Sequence, residues 1–492
     1  MPFPVRQGKA FLFFREGRAT CMKFDGQKNF RTEKDMLGEK HISADAYYGI
    51  HTARAIDNFP VSGRKVSRHM VEAVVLVKKA SALAHRKLGH MPVEVAEAIV
   101  SACDDILEGK LDGQFVVDAF QGGAGTSTNM NANEVIANRA IEILGGEKGD
   151  YGMVHPLHHV NCCQSTNDVY PTALRIAAIK LLRPLSEAFA SLQQTLQEKE
   201  NEFADVIKLG RTQLMDALPM MAGQGFGAYA RAVARDRWRL YKAEERLREV
   251  NIGGTAIGTG MNASVKYVFL MTDMLQEITG LGIARSEYPM DITQNMDVFV
   301  EVSGLLKSAA VNLTKISNDL RLLASGPAGG IGEFRLPPVQ AGSSIMPGKV
   351  NPVIPEMAVQ VCLRVMANDI AITGAAMNGQ LELNAFAPLI AESLLESLEL
   401  MTRAVKLFEG LCVRHIKVDS RRCGELVEKS AAPAAALIHH IGYDKASEIA
   451  KKAQEQGKTV RQVLEEDGLV AEEVLNRVLD PRQLTKPGIP GK

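Results

Sequence analysis

Five long segments carry apolar residues at helical spacing, and they constrain the fold more than any other feature of the chain. They cover 171–204, a stretch from just after Gly210–Gln213 to about 250, and then 291–324, 353–378 and 389–412. Alternating β-branched residues, the mark of strands, are scarce along the whole sequence. Each long helix must cover an apolar stripe. Five of them in one region therefore predict a central bundle whose helices pack on one another and on other subunits.

The flanks read differently. Residues 22–64 are turn-rich, with loops and a short hairpin, and helices follow through Met70, Val74, Val77 and Leu83, and through Val93, Val95, Ile99, Cys103 and Ile106. Asp112 to Gly125 reads as a loop. After Val418-Asp419-Ser420 the helical segments shorten, and the chain runs into a tail rich in proline and glycine. The expected fold is mainly α: a mostly helical N-terminal domain over 22–164, the long-helix bundle over 165–418 and a small helical C-terminal domain over 419–492. Residues 1–21 carry Arg6, Lys9, Arg15 and Arg18 around an apolar core, Ala10–Phe14, too short for a signal peptide. They read as a disordered extension or a mis-assigned start with Met22 as the true one; a weak transit peptide is the third reading.

Charge removes several function classes. Lys+Arg and Asp+Glu are equal at 57 each, so the chain has no global field to collect nucleic acid, and any anion site must be built locally. Apolar runs fall short of the roughly 20 residues that cross a bilayer. Seven cysteines, an odd number in a long chain, fit reduced thiols in the cytoplasm.

Three hydroxyl-rich clusters precede helical segments: Gly122–Asn129, Gln164–Asp168 and Gly210–Gln213. Thr126–Asn129 are placed to cap one helix, and Pro171 suits the first turn of the next. Helix N-termini expose unpaired N–H groups and a partial positive charge, which favours anions. A fourth stretch, Gly342–Pro352, suspends Ser343, Ser344, Lys349 and Asn351 between glycines and prolines. It reads as a mobile catalytic loop with Gly342 and Gly348 as hinges. Together the four stretches suit a small dicarboxylate.

Competing chemistries fit less well. His155, His158, His159, Cys162 and Cys163 are dense in metal-ligand types, but their spacing matches none of the familiar zinc patterns, and adjacent residues on extended or helical backbone point apart. No metal is expected on that ground. A Gly-x-Ser-x-Gly elbow is missing from the sequence, and so is a P-loop. Gly253, Gly254, Gly258 and Gly260 have the wrong spacing for a dinucleotide loop. The expected chemistry uses no cofactor.

Residues 342–352 resemble the signature of the aspartase/fumarase superfamily, and Gly122–Ala140 and His159–Thr172 resemble its other two signature regions; the similarity runs from about Thr32 to Gly488. The resemblance implies a homotetramer on a tetrameric helical core, active sites lined by three subunits, and reversible elimination that yields fumarate. Ser127, Ser165-Thr166-Asn167 and Gln213 fall on the ammonia-eliminating side, where fumarases usually carry Gln, Ser-Ser-Asn and His. The implied reaction is deamination of L-aspartate; a fumarate hydratase, a lyase for an N-substituted aspartate and a catalytically silent homologue are the alternatives.

Carried over by position, the resemblance makes Ser343 the general base. It assigns Thr126, Ser165, Thr166 and Ser344 to the carboxylate that becomes an enediolate, and Asn167, Thr212, Gln213, Lys349 and Asn351 to the amino group and the other carboxylate. Glu356 resembles the family's partner of the usual histidine. The chain departs from the family pattern at Ala328, Gly225, Ala387 and Ile438-His439.

Overall fold

The computed structural model describes residues 30–492, and the expectation for residues 1–21 lies outside them. The described chain opens with an antiparallel hairpin, β1 (Phe30–Asp35) paired with β2 (Gly38–Ser43). The turn-rich reading anticipates this hairpin but misses helix α1 (Ile50–Asn58). Two distant carboxylates start that helix, Glu33 by accepting from Ile50 N at 2.8 Å and Glu134 by accepting from its neighbours. Glu134 accepts from the backbone N–H groups of Gly49, His51 and Thr52 and from the Thr52 hydroxyl, at 2.6–3.1 Å. Burial pushes the Glu134 carboxyl up to about 7, and those donors oppose the shift. Helices α2 (Arg68–Leu88), α3 (Val93–Leu107) and α4 (Thr126–Ile143) then complete the N-terminal region.

The expected bundle follows, with two short helices interleaved. In order come α5 (Thr166–Glu202), α6 (Ala222–Leu247), α7 (Val265–Thr279), α8 (Pro289–Gln294), α9 (Asp297–Leu323), α10 (Val353–Met377) and α11 (Ala387–Leu411). Helix α5 packs on α6 and α11, α9 on α6 and α10, and α10 on α11. Their shared core buries Leu185, Leu192, Phe226, Phe299, Leu306, Ile372, Leu394 and Phe408. Each such side chain contributes about 1.5–3 kcal/mol on burial. Short helices follow Asp419, and a separate apolar cluster forms there around Leu437, Val463, Leu464 and Leu475. Among the described residues, no helix is long and apolar enough to cross a membrane.

Two starts differ from expectation. Helix α5 begins at Thr166, so Pro171 lies inside it rather than in its first turn. Proline at 171 frees the carbonyl of Asn167, four residues back, and Asn251 Nδ2 donates to that oxygen at 3.0 Å. The Gly210–Gln213 cluster does not start a helix. It ends β3 (Ile207–Thr212), which pairs with β4 (Met215–Met221) with Thr212 opposite Met215. Gln213 and Leu214 make the turn at φ of +55° and +65°. Two consecutive left-handed residues mark the type I′ geometry that matches hairpin twist.

Candidate active site

The polar stretches divide between the two ends of the bundle. At one end the N-termini of α4 and α5 meet. Asn129 Nδ2 donates to Thr166 Oγ1 at 3.1 Å and to Asn161 Oδ1 at 3.2 Å. The expected hydroxyl cap on α4 does not form: Gly125 takes the cap position at φ +94°, and the Thr126 hydroxyl donates back to Gly123 O at 2.7 Å. A Cβ at Gly125 would lie 2.2 Å from the Tyr170 ring, so the close approach of the two helices requires glycine there. On α5 a side-chain cap does form. Ser165 Oγ accepts from Asn167 N at 3.2 Å, and Asp168 Oδ1 accepts from Ser165 N at 3.0 Å, a reciprocal capping box.

Beneath that turn lies a polar network that the sequence reading missed. Lys78, fully buried on α2, donates to Asn161 Oδ1 at 2.8 Å and Gln164 Oε1 at 2.9 Å. Burial pulls its ammonium down to about 7, against the attraction of Asp168. Burial likewise pushes the Asp168 carboxyl up to about 7, although Ser165, Thr255 and Gly253 donate to it. The glycine-rich turn at 253–260 thus has a structural task, bracing the start of α5; Asn167 Nδ2 donates to Ala256 O at 2.7 Å. The available signal was the buried Asn129, Asn133 and Asn138 on α4, poor helix formers where apolar residues are expected. Ser165→Ala should lower stability by about 1 kcal/mol through loss of the cap. Denaturant midpoints at an unchanged slope would measure it.

Thr212, Gln213 and the 342–352 loop lie at the opposite end. The hairpin base is tied to the strand leading into the loop by buried Glu333, which Arg211 meets with both oxygens at 3.0 Å and Lys208 at 3.2 Å. Phe334–Arg335 pairs with Lys417–Val418, fixing the loop's entry, and Glu356 at its exit lies 3.8 Å from Arg321. Ser343 Oγ accepts from Ile345 N at 3.1 Å and Met346 N at 3.0 Å. Gly342 is clamped at the loop neck and is no free hinge. Its N–H donates to Lys349 O and its carbonyl accepts from Asn351 Nδ2, both at 2.8 Å. A Cβ there would sit 2.7 Å from Lys349 O, whereas Gly348 has φ +79° and open space around it. Ser344 and Lys349 are exposed. The substituted Gly225 lines a cleft of about 430 Å³ beside the hairpin base, and Ala387 is buried at the first position of α11.

One chain cannot close these two halves on a small molecule. Helix α5 has 37 residues, with Thr166 at its start and the hairpin following its end. At 1.5 Å per residue the halves stand roughly 55 Å apart.

The bundle carries polar helix N-termini at one end and a serine-bearing loop at the other, and family comparison gives the class to which such a chain belongs, a lyase. The Lyase family model matches residues 38–367 and the Fumarase C C-terminus model matches 434–486. The chain belongs to the aspartase/fumarase superfamily. Its relatives include an aspartate ammonia-lyase of Bacillus sp, 47% identical over 94% of this chain and 99% of that one. The aspartate ammonia-lyase of Escherichia coli (strain K12) is 44% identical over 94% and 98%. Among solved structures, a fumarate lyase:delta crystallin from Brucella melitensis bound to cobalt superposes with a TM-score of 0.90 at 48% identity, covering 93% of this chain and 100% of that one. The class II fumarase of Schistosoma mansoni gives 0.89 at 34% identity, covering 93% and 99%.

Proposed function

We propose that the protein is an aspartate ammonia-lyase that removes ammonia from L-aspartate reversibly to give fumarate. The observation that carries the site reading is the pair of backbone N–H groups aimed at Ser343 Oγ. Donors to an oxygen favour its charged form, and serine needs that help to act as a base. Ser343 takes the Cβ proton. Negative charge then spreads into the adjacent carboxylate as an enediolate, held by Thr126, Ser165, Thr166 and Ser344. Preorganised donors of this kind contribute about 3–4 kcal/mol each at a developing oxyanion. Asn167, Thr212, Gln213 and Lys349 hold the amino group and the second carboxylate. Asn351 serves through Oδ1, since its Nδ2 is engaged at the loop neck. Ammonia leaves as the double bond forms.

The working unit in this reading is a homotetramer whose sites draw on three subunits. The roughly 55 Å between the half-sites supports it. So does an exposed apolar stripe on α10, where Leu363, Ile370 and Met377 recur at seven-residue spacing with exposures of 56%, 74% and 78%. Apolar Leu214 and Met215 at the hairpin tip are similarly exposed beside Gln213. Six cysteines, all free of disulfides among the described residues, support a reducing, cytoplasmic setting. Fumarate formation, followed by ultraviolet absorbance, is expected with L-aspartate and not with L-malate. The opposite preference would make the protein a hydratase.

A further inference from the structure

Cys162 and Cys163 lie just ahead of Ser165, and the proposed chemistry uses neither. Adjacent side chains point apart on extended or helical backbone, but Cys163 is in neither state. Its φ of +58° is left-handed, a conformation that costs a non-glycine residue about 1–3 kcal/mol. The result brings the two sulfurs to 3.9 Å of each other. Two thiolates on one tetrahedral Zn²⁺, with bonds of about 2.3 Å, stand roughly 3.8 Å apart.

A third donor converges from α2. One ring nitrogen of His85 and both sulfurs lie within 4.8 Å of one another. His85 is fully buried, stacked on Tyr267 with ring centroids 4.5 Å apart. Its Nε2 faces Cys162 O at 3.2 Å, while Nδ1 is buried with no hydrogen-bond partner. The nearby histidine run is not part of the cluster: among the described residues, His85, Cys162 and Cys163 are the group whose ligand atoms converge.

We propose that His85, Cys162 and Cys163 form a binding site for one thiophilic cation of the Zn²⁺ class, with the fourth coordination position open to water. Binding displaces the thiol protons. The ion would fix the turn whose Cys162 carbonyl also accepts from Gln164 Nε2 at 3.3 Å, directly ahead of Ser165.

The test uses full-length protein, reduced and stripped with a chelator. It is titrated with Zn²⁺ against a chromophoric chelator and separately with Cd²⁺, whose thiolate charge-transfer band reports sulfur ligation. One ion per chain, a thiolate band and a thermal midpoint that rises with free Zn²⁺ are expected. Cys163→Ser should diminish the band and weaken Zn²⁺ binding by more than the roughly 10–100-fold that losing an orienting partner costs, and Cys162→Ser/Cys163→Ser should abolish the band. His158→Ala should change neither. Absence of binding by wild-type protein, binding without the band, or binding that survives Cys162→Ser/Cys163→Ser and vanishes in His158→Ala would each overturn the site. These readouts do not involve turnover, so they stand apart from the aspartate reading.

Discussion

Ser343→Ala should lower kcat by about 10²–10⁴-fold, the range that a positioned base supplies. Helicity and oligomer size should not change. The serine oxygen contacts only its own loop, where Ile345 N and Met346 N donate to it, and the loop from Ser344 to Val350 is exposed. Water can replace a lost acceptor there, so the stability change should stay within about 0.5 kcal/mol. A fall in kcat without a matching rise in KM would place the loss in the chemical step. Turnover within a few-fold of wild type would remove Ser343 from the base role. Ser344→Ala is the internal comparison. It removes one proposed carboxylate donor and leaves the proposed base, so its loss should be the smaller of the two.

What could be read from sequence follows the range over which each feature is encoded. The long helices are encoded locally. Leu306, Leu313 and Leu320 recur on one face of α9, and that period needs no knowledge of the partner helices. The α5 capping box is equally local, since Ser165 and Asp168 are three residues apart. The start of α1 is not local, because its N–H groups are satisfied by Glu33 and by Glu134 on α4. The hairpin tip misled for a different reason. Gln213-Leu214 lacks the Asn-Gly or Asp-Gly signature of a type I′ turn, so hydroxyl and glycine residues before a long helix read as the start of that helix. Strained left-handed residues tend to collect at functional positions, and this one carries the glutamine that stands where fumarases usually have histidine. Composition marked out the loop at 342–352, but the clamp by Asn351 and Lys349 at Gly342 depends on backbone closure that residue types alone do not specify.

Mixing two inactive variants should restore activity. Thr166→Val removes the proposed carboxylate donor at one end of the bundle, and Ser343→Ala removes the proposed base at the other; each homo-oligomer should be nearly inactive. When both chains are unfolded together and refolded, a site shared between subunits can take Thr166 from the Ser343→Ala chain and Ser343 from the Thr166→Val chain. Random assortment over the two contributing positions leaves about a quarter of sites intact. Refolding each variant alone recovers none, which separates complementation from improved folding. Thr166 is buried against Asn129, so Ser165→Ala, at a partly exposed position, serves as a second partner if the valine variant folds poorly. If sites were built within single chains, every site in the mixture would carry one defect and the activity would equal the mean of the parents. The geometry argues against that result: α5 is a continuous helix from Thr166 to Glu202, and a packed helix of that length does not fold back to bring its ends to one substrate.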